Sequence, residues 1–217
     1  MAEPKQARKR PPIAREGWGY LIAFTLLALI SAYWEGWIWS AAFAAAALLI
    51  AGFFRDPERT PPREPGAVLA PADGRVVAVE RLEGGGSAVA IFLSPLDVHI
   101  NRSPVAGRIL CAEHQRGRFL AAYNPECKDV NERNTLDIGT ASGENFQVVQ
   151  IAGVLARRIV TWCRVGDELE AGERFGLIQF GSRTDLHLPP GYAPCIEPGA
   201  KVRGGETIVA RKRPHPG

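Results

Sequence analysis

A mainly β domain, a compact sandwich of short strands, set behind an N-terminal hydrophobic helical hairpin is the architecture this 217-residue sequence predicts. Three observations carry it. Two long apolar stretches, 18–34 and 37–54, lie back to back and are separated only by Glu35-Gly36. A Pro- and Arg-rich exit, "FFRDPERTPPREPG" (53–66), then changes the composition. Everything beyond it is short apolar runs punctuated by glycine and proline, and that part holds most of the 23 glycines.

The hairpin comes first. Neither apolar stretch contains a formal charge. At ~1.5 Å per residue each reaches about 26 Å as a helix, slightly short of a ~30 Å hydrocarbon core. Trp18, Trp34, Trp37 and Trp39 sit at the ends of the stretches, where amphipathic rings favour the headgroup zone. A cleaved signal peptide fits poorly, because the first stretch ends in bulky Tyr33-Trp34 rather than in small residues. Lys5, Arg8, Lys9, Arg10 and Arg15 precede the hairpin, Arg55, Arg59 and Arg63 follow it, and the tip carries only Glu35. That asymmetry predicts both termini on the cytoplasmic side of a cell (inner) membrane.

A domain boundary near Arg63 divides the chain into 1–63 and a β-rich 64–217. The runs that predict strands are "RVVAVE", "AVAIFL", "GRILCAE", "NTLDIGT", "FQVVQIAG", "RRIVTWC", "RFGLIQF" and "ETIVARK". Helix is scarce, with one helical turn expected around 119–123. "PADGRVVAVE" (71–80) and "SPVAGRILCAE" (103–113) echo each other as proline, small residues, glycine, then strand. Turn-strand units of this kind build sandwiches such as the lipoyl-type and barrel-sandwich domains.

Composition removes several classes of function. A net charge of +3 is too mild to imply nucleic acid; basic residues gather instead at the N-terminus and in the tail "ARKRPHPG". Near an anionic leaflet each is worth about 1 kcal/mol. Cys111, Cys127, Cys163 and Cys195 are widely spaced, so reduced thiols are expected rather than a zinc site or a disulfide framework. There is no dinucleotide fingerprint, no Walker loop, no H-E-x-x-H and no G-x-S-x-G. Only five lysines occur, three of them near the termini, which makes a Schiff-base lysine holding a pyridoxal group unattractive.

What remains is a few polar residues in glycine- or proline-bearing segments. They are Asp73 in "PADG", Asp97 and His99 in "SPLDVHINRSP", and Ser182 in "LIQFGSRTDLHLP" (177–189). Singly, each has an ordinary explanation. Asp73 reads as a turn aspartate, His99 as a hydrogen-bonded structural histidine, and Gly181-Ser182 as a turn between strands.

In combination these segments resemble the phosphatidylserine decarboxylase family, in particular its short bacterial and archaeal-type branch. The hairpin leaving through "FFRDPERTPP", then "PADG" (71–74), "FLSPLDVHINRSPVAG" (92–107), "NER" (131–133) and "FGS" (180–182) follow one another in order over essentially the whole chain. The resemblance implies a proenzyme that cuts its own Gly181–Ser182 peptide. The Ser182 hydroxyl would attack the Gly181 carbonyl, and β-elimination and hydrolysis would leave a covalent pyruvoyl group at former Ser182. Glycine before the cut gives the nucleophile room, and only a hydroxyl or thiol at Cβ can both attack and leave. The products would be a long chain (1–181) and a short chain (182–217), held as a heterodimer. The pyruvoyl cofactor would form an imine with phosphatidylserine and release CO2 to give phosphatidylethanolamine, with membrane lipids as the setting and no metal.

By the same resemblance His99 is the candidate general acid/base, an imidazole titrating ordinarily near ~6.5, and Asp73 the aspartate that supports self-cleavage. One departure stands out. Where the longer branch carries a second histidine three residues on, this chain has Arg102, which cannot act as a base. The Asp-His-Ser relay therefore does not carry over intact, and His99 would serve both steps. "NER", Arg55 or Arg59 are candidates to grip the phosphodiester. Rival readings are an archaetidylserine or other pyruvoyl-dependent decarboxylase, and a non-catalytic membrane-tethered lipoyl-like adaptor. The adaptor would need a lysine in a hairpin turn, and none is suitably placed.

Overall fold

The computed structural model describes residues 11–120, 127–153, 158–179 and 182–213. It divides into two compact units, Met1–Glu58 and Arg59–Gly217. In the first, a 3-10 turn (Arg15–Gly17) leads into α1 (Trp18–Tyr33), and α2 (Trp37–Phe53) returns antiparallel. The reversal is tight. Trp34 N–H reaches the Ile30 carbonyl, Gly36 N–H reaches that of Ser31, and Glu35 takes a positive φ of 56° to complete the turn. At the open end Ala14 N–H donates to Phe54 O (2.8 Å) and Asp56 N–H to Pro12 O (2.7 Å), fastening the entering and leaving chain together.

The helices present apolar side chains outward: Leu29 is 63% and Leu48 74% exposed. A water-soluble helix pair would bury such residues, so this surface suits a hydrocarbon environment. Arg15–Tyr33 is long and apolar enough to cross a membrane, whereas Trp37–Phe53 is shorter. Tyr33, Trp34, Trp37 and Trp39 all stand exposed around the turn, an aromatic cluster at one end of the hairpin.

The second unit is mainly β. Its strands are β1 (Ala67–Leu69), β2 (Gly74–Arg81), β3 (Ser87–Leu93), β4 (Ile100–Arg102), β5 (Gly107–Gln115), β6 (Arg133–Gly139) and β7 (Asn145–Ile151). Then follow β8 (Arg158–Thr161), β9 (Glu168–Leu169), β10 (Arg174–Gln179), β11 (Ser182–Leu188), β12 (Tyr192–Pro194), β13 (Lys201–Val202) and β14 (Ile208–Lys212). They form an eight-stranded sheet in the order β13-β2-β3-β11-β7-β6-β5-β9 and two three-stranded sheets, β1-β14-β12 and β4-β10-β8. Each of the eight apolar runs in the sequence contains a strand. The short helix α3 lies at Cys127–Val130, beyond the helical turn expected around 119–123, whose last three residues lie outside the described ones.

The large sheet buries one face. Alternation along β6 places Leu136 and Ile138 inward, and the register carries the same parity to Phe146 and Val148 on β7, Leu186 and Leu188 on β11, and Val89 and Ile91 on β3. The two echoed glycines have a common cause. A Cβ on Gly74 would lie 2.1 Å from Phe92 O and one on Gly107 2.6 Å from Gly139 O, so each strand begins where only glycine lets the partner backbone approach. Bulges between Val76 and Ala78 and between Ile109 and Cys111 bend the sheet.

One ion pair closes the C-terminal end. Lys212 Nζ lies 2.6 Å from Glu144 Oε1, and this contact, with the Ser142 and Thr140 hydroxyls, holds the Glu144 carboxyl at about 2, below the usual 4.5. A depressed acid pKa stabilises the fold above the unfolded value and loses that contribution as pH falls. Glu144→Gln is therefore expected to lower the urea midpoint at pH 7, with the gap from the parent closing between pH 4.5 and about 2. A gap that persisted unchanged through acid would assign the effect to packing.

Candidate active site

At one end of its buried face the large sheet turns polar. Ser182 and Thr184 continue the inward parity of Leu186 and Leu188 on β11, while Gln150 on β7 and Asn134 on β6 stand opposite Thr184 in register. All four are buried. Ser182 opens β11 and pairs with Leu93, the last residue of β3, so it is a strand residue and not part of a turn. The chain passes from β10 in one sheet to β11 in another across Phe180-Gly181, which lie outside the described residues.

Ser182 Oγ is fully buried and has no hydrogen-bond partner among the described residues. Burying a hydroxyl without a partner costs about 1–3 kcal/mol. Uncompensated cost at a strand head calls for a functional reason.

The segment carrying His99 begins where the partner of Ser182 ends. After Leu93, Ser94 N–H donates to Asp97 Oδ2 (2.8 Å) and Asp97 N–H to Ser94 O (2.9 Å), a turn closed by its own aspartate. Asp97 thus shapes the loop with its side chain, and its backbone carbonyl receives His99 Nδ1 at 2.9 Å. A carbonyl can only accept, so Nδ1 carries the proton and Nε2 is the basic nitrogen of the neutral ring. His99 is buried immediately before β4, and its own carbonyl receives Ile178 N–H from β10 at 3.3 Å.

Asp73 lies in the bend before β2. Gly204 N–H donates to its Oδ1 and Arg59 Nη2 to its Oδ2, both at 2.8 Å. Burial nevertheless lifts its carboxyl above the usual carboxylate range. The Gly204 bond and the Arg59 charge oppose this, Asp97 adds to it, and Arg102 opposes it. These mutual influences place Asp73, Asp97 and Arg102 in one electrostatic neighbourhood.

Several of the residues considered for phosphodiester binding have partners within the protein. Arg59 bonds Glu206 (2.7 Å) as well as Asp73. Asn131 of "NER" spends its amide on the Leu120 and Ala152 carbonyls, and Glu132 faces His114. Arg55 Nη1 donates to Gly52 O within the hairpin unit. Arg102 is buried, with Nη1 on Gly172 O at 3.1 Å, so its guanidinium is a structural clamp on a backbone carbonyl. Asp73, His99 and Ser182 come from three separate segments around the polar end of the sheet. A cavity of about 430 Å³, lined by residues including Arg183, Asp185, His187 and Arg133, lies across β11 from them, on the opposite parity.

Sequence reading missed the inward polar set Asn101, Thr184, Gln150 and Asn134. The signal was present, since Gln150 shares the parity of Phe146 and Val148, and Asn134 that of Leu136 and Ile138. A polar residue on the apolar parity of a strand marks either a satisfied network or a site.

Comparison with known proteins bears directly on this arrangement. The family model described as phosphatidylserine decarboxylase matches residues 46–210. Among similar proteins is a phosphatidylserine decarboxylase proenzyme of Symbiobacterium thermophilum, 49% identical over 209 residues, covering 94% of this chain and 97% of the relative. Proteins of the same name from Nitrosomonas eutropha (43% over 208 residues; 94% and 96% covered) and Nocardia farcinica (45% over 209 residues; 92% and 87% covered) are also similar. With matches of this extent, and a buried serine without a partner at the matching "FGS", the chain belongs to the phosphatidylserine decarboxylase family.

Proposed function

We propose that this chain is a proenzyme that cuts itself between Gly181 and Ser182 and then decarboxylates phosphatidylserine to phosphatidylethanolamine at the membrane surface. The observation that carries this reading is the buried Ser182 hydroxyl, unpartnered among the described residues, directly after Gly181 in a chain so similar to proteins named proenzymes.

In self-cleavage the Ser182 Oγ–H proton passes to a base as Oγ bonds to the Gly181 carbonyl carbon. The peptide C–N bond breaks, the freed nitrogen takes a proton, and an ester joins the two parts. Loss of the Ser182 Cα proton then expels the Gly181 carboxylate, which completes the long chain 1–181. Water replaces the nitrogen on Cα, releasing ammonia and leaving the keto group at the head of the short chain 182–217. His99, whose Nε2 is basic while Nδ1 is held by Asp97 O, is the proton carrier in this scheme. Asp73, half-buried between Arg59 and the Gly204 amide, supports cleavage.

The residues present fit a covalent pyruvoyl group, because its precursor serine is already desolvated and nothing described competes for its oxygen. Such a group supplies an α-keto carbonyl that takes up an amine and withdraws electrons as CO2 departs. His99 donates the proton that completes the product, and burial of the segment excludes water from the reacting carbon. The hairpin holds the β unit on the cytoplasmic face of the membrane, where a lipid headgroup is presented in two dimensions.

Intact-mass measurement tests the reading. The purified protein is expected as two polypeptides, 1–181 and 182–217, the shorter with a blocked, ketone-bearing N-terminus that borohydride couples covalently to added lipid. A single full-length chain with an ordinary serine at 182 would refute it.

A further inference from the structure

Three segments carry Asp73, His99 and Ser182, and one buried side chain on the His99 segment bonds to the other two. Asn101 lies two residues beyond His99. Its Nδ2 donates to Pro71 O (3.4 Å), two residues before Asp73, and to Thr184 Oγ1 (3.2 Å), two residues beyond Ser182. Two residues span at most about 6.6 Å of chain. Each candidate residue therefore lies two residues along the chain from Asn101 or from a group that its amide bonds.

The amide itself is held in orientation. Asn101 Oδ1 accepts Gln150 Nε2 at 2.8 Å, Gln150 Oε1 accepts Asn134 Nδ2 at 2.9 Å, and Asn134 Nδ2 also reaches Thr161 Oγ1 at 3.1 Å. Every bond in this line has one possible direction once the first is set, because each carbonyl oxygen accepts and each NH2 donates. The line starts on β8, crosses β6 and β7, and ends on β4 and β11, so it spans two sheets that share no strand pairing. Asn101 and Gln150 are fully buried. A satisfied network of this kind specifies one arrangement, where apolar packing alone would tolerate small sliding of one sheet on the other.

The geometry points to Asn101 as a positioning residue for both self-cleavage and decarboxylation, setting the β4 segment that bears His99 against the β11 segment that bears Ser182. This rests on the reading under Proposed function. Asn101 does not touch the reacting atoms. It acts through the placement of His99 and Ser182, and misplacement by about 1 Å costs on the order of a hundredfold in rate.

The test compares full-length Asn101→Ala, Thr184→Val and Thr184→Ser proteins in detergent. Conversion of precursor to two chains is followed on denaturing gels, and kcat and KM are measured on phosphatidylserine micelles once conversion is complete. Asn101→Ala and Thr184→Val are expected to slow cleavage about ten- to a hundredfold. They should lower kcat similarly with KM changed by less than about twofold, the signature of an effect beyond substrate binding. Thr184→Ser keeps Oγ1 and should recover both rates, which a merely structural role would not require. Should Asn101→Ala fail to fold, the Val and Ser variants at Thr184 decide alone. Equal cleavage and turnover in those two, or a lowered melting temperature with unaltered rates, overturns the role. A wild-type chain that itself stays uncut instead overturns the self-processing reading, and this inference with it.

Discussion

Ser182→Ala is expected to leave one intact chain with no decarboxylase activity above the uncatalysed background, a loss of at least about a millionfold. Nothing remains at position 182 to attack the preceding carbonyl or to be expelled from Cβ, so neither the cut nor the keto group forms. The same change should not harm the fold. Ser182 Oγ is buried without a partner among the described residues, and replacing it with a methyl hydrogen removes a desolvation cost of about 1–3 kcal/mol. The variant precursor is therefore expected to melt no lower than the uncut parent, as scanning calorimetry would show. A strained or unsatisfied group tolerated for its chemistry is the usual pattern at active sites. Ser182→Cys makes the contrasting case, since a thiol both attacks and leaves and should restore some cleavage. Two chains recovered from Ser182→Ala would move the cleavage elsewhere and remove the foundation of the proposed function.

His99→Ala carries the second large effect. The imidazole is held by Asp97 O on Nδ1, so a fixed tautomer directs Nε2 as the proton-accepting atom. Removing a positioned acid/base lowers turnover by about a hundred- to ten-thousandfold. With Arg102 clamped on the Gly172 carbonyl and unable to accept a proton, the position three residues beyond His99 supplies no second base. His99→Ala is thus expected to slow precursor conversion as well as decarboxylation of whatever mature enzyme accumulates. Measuring the two separately, by gel and by CO2 release, distinguishes one residue serving both steps from one serving only the second. Normal rates in both assays would remove His99 from the mechanism.

Much of the fold is legible in the sequence because the long strands obey a period of two with glycine or proline at their ends. The strands that escape notice do so for physical reasons. β1, β4, β9, β12 and β13 hold two or three residues each, too few for alternation to show. β11 is hidden differently. Its outward residues Arg183 and Asp185 are themselves buried, as a bidentate ion pair at 2.6 and 2.8 Å, so a central strand reads in sequence as a polar tail. The candidate residues Asp73, His99 and Ser182 emerge from family resemblance, since in the sequence each reads locally as only a turn or loop residue. Asn101 and Gln150 are legible only once register is known, because their meaning lies in which strand stands opposite.

Strand β11 lies between β3 and β7, and β12, β13 and β14 also come from the chain beyond residue 181. The break proposed after Gly181 would thus turn one molecule into a pair whose smaller member is threaded through the middle of the larger. Unfolding would then free two solutes, and renaturation would become a second-order event that dilution penalises. A keto terminus would offer no route back to the peptide. On that reading each molecule's working life is a one-way passage, assembled as a continuous polymer and, once melted at low concentration, not recovered.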